Sequence, residues 1–90
     1  MSTTATKKGH RIERRRDVNP KRGKHEYGDV KFADPVNNKY PIDTPRHIRA
    51  AWSYINHPHD AAKYDKADVA KIKRRIKAAA KKAGIEISTD

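Results

Sequence analysis

The chain has 90 residues, a formal net charge of +11, no cysteine and no leucine. That length suits one small domain with a core of Ile, Val, Ala and a few aromatics, and the lack of cysteine excludes disulfides, thiolate metal sites and cysteine nucleophiles. No apolar run approaches membrane-spanning length, and "MSTTATKKGHRIERRR" lacks the apolar stretch of a signal peptide, so a soluble, cytoplasmic protein without a membrane partner is expected.

Residues 1–26 carry nine Lys/Arg against three acids. Ile12 and Val18 are the only sizeable apolar side chains there after Met1, too few to offset the entropy of ordering the segment. The reading is a disordered basic arm, its "RRR" and "KRGK" clusters suited to binding. Residues 27–59 carry four basic residues against three acids, and residues 60–90 nine against five, so two basic blocks flank a nearly neutral centre.

The folded unit is expected over residues 27–87. Val30 and Phe32 alternate in "DVKF" and Tyr40 and Ile42 in "KYPI", with the turn-forming "DPVNN" between them, which predicts a short hairpin over about 30–42. Pro35 and Pro41 lack donors and keep that ribbon short. Thr44 is a good N-cap and Pro45 fits the first helical position. Ile48, Ala51, Trp52 and Ile55 then recur at i, i+3, i+4 and i+7, predicting a helix over about 45–56 with one apolar stripe. "NHPHDAAKY" connects, with room for a helical turn around Ala61-Ala62.

A second helix is expected over about 66–83. Asp65 caps it, Asp68 suits a box-like start and the helix dipole, and Tyr64 can staple onto Val69. Its core stripe is Val69, Ile72, Ile76, Ala79, Ala80 and Ala83, and Gly84 ends it in a left-handed cap with Ile85 packing back. Ile85 and Ile87 alternate, which allows a final short strand. The fold class is therefore α+β and helix-dominated: a hairpin, two packed helices and a basic N-terminal arm.

"VKFADPVNNKYPIDTPRHIRAAWSYINHP", with the later "AAKY" and "AGIEI", resembles a small uncharacterised bacterial domain family found in stand-alone and phage-derived, head-maturation-associated proteins. The resemblance spans roughly residues 28–87. Its most specific part is Tyr40-Pro41-Ile42, a short polar spacer, and His47-x-x-x-Ala51 on a helix. It implies a domain boundary and no catalytic residue, and a virion-assembly context would allow a protein partner.

Catalytic and metal chemistry find little support. Trp52 shares the stripe of Ile48 and Ile55 and reads as core rather than a base-stacking platform, while Tyr54 lies off the stripe. His57 and His59 offer two ligands in a Pro-containing loop, with Asp60 beside them and His47 a helix away, short of a converging zinc set. Ser53 has no nucleophile elbow, and the isolated glycines form no phosphate loop. No enzyme, metal or cofactor is expected.

The second helix carries its basic residues without acidic i,i+4 partners after Asp68. The helix dipole favours Lys81 and Lys82 but does not account for the run from Lys71 to Lys77. A connection of about eight residues between the helices is too long for a helix-turn-helix. The expected function is non-enzymatic binding of nucleic-acid backbone, DNA or RNA, by a monomer. Contacts are assigned to Arg11, Arg14, Arg15, Arg16, Lys21, Arg22 and Lys24 of the arm, beside Lys7 and Lys8, and to Lys71, Arg74, Arg75, Lys81 and Lys82 of the helix. The alternative is a protein–protein interaction module in a bacterial or prophage context.

Overall fold

The computed structural model describes residues 11–87. In chain order they form α1 (Pro20–Tyr27), β1 (Phe32–Asp34), β2 (Lys39–Pro41), α2 (Pro45–Ile55), the short α3 (Pro58–Ala61) and α4 (Lys66–Ala83). The architecture is helix-dominated α+β, with one antiparallel pair in which Phe32 faces Pro41 and Asp34 faces Lys39.

Local chemistry sets the hairpin and α2. Asp34 Oδ1 accepts from the backbone N–H groups of Val36 and Asn37, both at 3.1 Å, which folds the turn between the strands. Thr44 Oγ1 caps α2 by accepting from the His47 N–H at 3.1 Å, with Pro45 in the first turn. The predicted stripe Ile48, Ala51, Trp52 and Ile55 is the buried face. Asn56 closes the helix, its Nδ2 donating to the Trp52 carbonyl at 2.8 Å.

Asp65 sits at the N-cap of α4, but its side chain makes no capping bond. Asp68 lies in the first turn of α4 as expected. It is buried, and its Oδ2 accepts the Glu13 N–H at 3.2 Å. Gly84, at φ +71, ends α4 as predicted, with its N–H on the Lys81 carbonyl and that of Ile85 on the Ala80 carbonyl. These two bonds make a Schellman closure. No third strand forms at Ile85 and Ile87 among the described residues; both pack half-buried on the core. The cap commits the Ile85 N–H to the helix, so it is not available to a sheet.

The larger correction concerns the N-terminus. Residues 11–26 are not a disordered arm. Ile12 is 3% exposed and belongs to the core with Tyr40, Ile48, Trp52, Ile55, Ile72 and Ile76. Polar bonds hold the segment around it: Arg15 N–H donates to Asn37 Oδ1 at 2.6 Å, and Asn37 Nδ2 donates to the Glu13 carbonyl at 3.0 Å. Both Asn37 and its partner Asp34 are fully buried, with Asn37 Nδ2 also donating to Asp34 Oδ2 at 2.8 Å. A count of apolar side chains misses this order, because two buried polar residues of the turn supply the partners for the N-terminal backbone. The remainder of the expected arm, residues 1–10 with Lys7 and Lys8, lies outside the described residues.

Helix α1 completes the docking. Asn19 caps it, and Asn38 Nδ2 donates to the Pro20 carbonyl at 2.9 Å. Gly23 lies so close to the hairpin that an added Cβ would meet the Asn38 carbonyl oxygen at 2.2 Å. The glycine that weakens the helix in sequence is the one that lets it approach.

Candidate nucleic-acid interface

The basic residues expected to contact phosphate fall into three structural situations. In the first, the fold itself uses the cation. Arg15 is half-buried and holds Asp17 through two bonds, Nε to Oδ1 at 3.0 Å and Nη2 to Oδ2 at 2.5 Å. Its Nη1 donates to the Tyr64 hydroxyl at 3.2 Å, and its guanidinium lies 4.9 Å from the Tyr64 ring centroid. The bond to Asp17 pushes the Arg15 pKa further up and draws the Asp17 carboxyl down to about 2. Arg14 Nη1 donates to the backbone carbonyls of Arg15 and Val18. Arg75 Nη1 donates to the Ala33 carbonyl at 3.1 Å, tying α4 to β1.

In the second situation, cations distant in sequence come together. Arg11, Lys71 and Arg75 line one cleft of about 160 Å³ with Ile12, Pro35 and Val36. Burying Ile12 places Arg11 there, so the two basic blocks meet in space at this point. Three cations around one concave spot make a local positive potential suited to a phosphate group.

In the third, the cation stands on the exposed surface. Arg16, Lys21, Arg22 and Lys24 do so in and before α1, as do Arg74, Lys81 and Lys82 on α4. Lys73 and Lys77, which the sequence reading did not single out, place their ammonium groups 6.0 and 5.6 Å from the Trp52 ring centroid. Their i,i+4 spacing on one helix face was the signal. Trp52 is 8% exposed, so it belongs to the core as expected, whereas Tyr54 is 58% exposed.

His47 and His57 stand at the starts of α2 and α3. His47 Nδ1 lies 2.6 Å from Asp43 Oδ1, and its ring meets Tyr27 edge-on at 5.3 Å. His57 is the N-cap residue of α3, without a side-chain bond there. Among the described residues, oxygens of Glu13, Asp65 and Asp68 come within 4.8 Å of one another. Arg14, Arg15, Arg16 and Lys63 line the same cleft, with Arg15 and Lys63 near Asp17. Asp65 and Asp68 are neighbours at the start of α4, and the docking of residues 11–16 brings Glu13 to them.

A model of a family described as "Family of unknown function (DUF6582)" matches residues 8–90. The chain belongs to that family. The match begins well before the span of about 28–87 expected from the resemblance, and it takes in the N-terminal segment that the structure docks on the core. No curated protein and no solved structure matches the chain. Among the described residues, no helix is long and apolar enough to cross a membrane.

Proposed function

We propose that the domain binds nucleic-acid backbone without sequence preference and without catalysis, in the cytoplasm of a bacterial cell. The observation that carries this reading is the meeting of Arg11 with Lys71 and Arg75 around one cleft, on a chain of net charge +11. Arg16, Lys21, Arg22, Lys24, Arg74, Lys81 and Lys82 add exposed positive charge. Arg14, Arg15 and Arg75 each also bond within the fold, so they bring charge to the surface while holding the structure.

Such binding releases counterions, so the logarithm of affinity falls linearly with the logarithm of salt, by about 0.9 per phosphate contacted on duplex DNA. Fluorescence anisotropy with random-sequence duplexes across low to physiological salt measures that slope. Arg11→Gln is expected to weaken all duplexes alike and to lower the slope by about 0.9. Affinity that does not change with salt would refute the reading.

A second reading is a protein-interaction module in a prophage or virion-assembly context. The resemblance of residues 28–87 supports that context, and an apolar groove beside α4 supports a protein partner. It predicts a stoichiometric complex that survives nuclease and moderate salt.

A further inference from the structure

Between α4, the hairpin and the start of α2 the fold leaves a groove of about 780 Å³. Its floor includes Val30, Phe32, Ile42 and Ile48, and Ala78, Ala79 and Ala83 of α4 form a wall. With Arg75 and Lys82 these wall residues recur at i, i+3, i+4, i+7 and i+8, so a single face of the helix borders the groove. The alanine side chains are too short to close the gap, and volume that larger residues fill in a packed core stays open.

The rim is cationic. Lys24 of α1, Lys31 before β1, and Arg75 and Lys82 of α4 border the groove, and the three lysines are exposed. Two carboxylates, Asp29 and Asp43, share the rim, and Asp43 is already bonded to His47.

We propose that this groove docks an acidic amphipathic segment of a partner protein. The partner's apolar side chains enter between the hairpin and the α4 alanines, and its carboxylates meet Lys24, Lys31 and Lys82. Charge and chemistry decide among the occupants. A second copy would bring another +11 against the first, and like charges across an interface oppose association. Nucleic acid has the right charge, but the floor offers no open aromatic face for a base. Phe32 is 8% exposed and meets Tyr27 edge-on at 6.1 Å. A segment that alternates apolar and acidic residues satisfies floor and rim together, as in helix-in-groove recognition. The groove shares Pro35 and Arg75 with the Arg11–Lys71 cleft, and Lys24 and Lys82 with the exposed positive surface, and the proposal rests on the protein-interaction reading rather than on the nucleic-acid one.

The full-length protein is titrated into a labelled Glu/Leu peptide designed as an amphipathic helix, into the same peptide with every Leu replaced by Ser, and into a labelled random duplex. The Glu/Leu peptide is expected to bind, and the Glu/Ser peptide to bind at least about tenfold more weakly. Ala78→Trp, at an exposed helical position, fills the groove and should weaken the Glu/Leu peptide at least about tenfold while duplex affinity is unchanged. Lys31→Glu with Lys82→Glu, both on the surface, should weaken the same peptide about tenfold or more and provides a second variant if Ala78→Trp fails to fold. Equal binding of the two peptides, or a Glu/Leu affinity untouched by either folded variant, overturns the proposal. Loss of duplex binding with peptide binding intact would strike only the nucleic-acid reading.

Discussion

Tyr40 sits in β2 at φ +62, a left-handed backbone that bulky aromatics rarely adopt. Its ring is buried, and its hydroxyl has no hydrogen-bond partner among the described residues. The neighbouring Tyr64 hydroxyl instead donates to Asp34 Oδ2 at 2.6 Å. Removing a buried hydroxyl that has no partner relieves desolvation without breaking a bond. Tyr40→Phe is therefore expected to leave stability unchanged or raise it by up to about 1 kcal/mol, read from the urea midpoint.

The same two tyrosines set an alkaline limit. Burial pushes the Tyr40 pKa up to about 12, and burial with the bond to Asp34 pushes that of Tyr64 up as well. The folded state thus holds these protons more tightly than the unfolded chain, whose tyrosines titrate near about 10. Their contribution is complete below about pH 10 and is lost as pH rises toward about 12. Urea midpoints measured against pH are expected to fall over that range. A flat profile through it would show that the phenols are not held in this way.

At the scale of elements, α1 carries the sharpest test, because propensity and packing oppose each other at Gly23. Alanine is better than glycine inside a helix by about 1 kcal/mol, yet its Cβ would stand 2.2 Å from the Asn38 carbonyl oxygen. Overpacking of this kind costs about 1–3 kcal/mol. Gly23→Ala should therefore destabilise the domain and raise hydrogen exchange in α1 and the hairpin turn. A stabilised variant would mean that α1 does not dock there.

Helices α2 and α4 behaved differently from α1 with respect to the sequence. Thr44-Pro45, the Ile48–Ile55 stripe and the Gly84 cap are local signals, and the structure uses each of them where the periodicity put it. Asp68 shows the limit of such reading. Its position in the first turn suits the helix dipole, but its side chain is claimed by the Glu13 backbone, a partner 55 residues away. The Tyr40-Pro41-Ile42 and His47-x-x-x-Ala51 pattern likewise resolves into scaffold. Tyr40 and Ala51 are buried, Ile42 packs on the core, and His47 stays bonded to Asp43 near the N-terminus of α2.

At the scale of the molecule, the N-terminal segment belongs to the folded unit. Burying Ile12 joins residues 11–16 to the same core as α2 and α4. Ile12→Ala is expected to cost about 2–5 kcal/mol, a large share of the roughly 5–15 kcal/mol that holds such domains, measurable as a lower thermal midpoint. A surface arm would lose nothing. Removing residues 1–26 would accordingly disturb the fold as well as the charge, so charge-removing substitutions at Arg16, Lys21, Arg22 and Lys24 test binding more cleanly.

By itself the sequence determined the hairpin, the two long helices, the buried face of Trp52 and the surplus of positive charge. Each follows from neighbours within a few residues: caps, turns, apolar periodicity and composition. Only the tertiary structure decided that Asn37 and Asp34 order the N-terminus, that Arg15 serves Asp17 and Tyr64, and that Arg11 joins Lys71 and Arg75. The reason is that a polar side chain declares its type in the sequence but not its partner, and here the partners lie tens of residues apart.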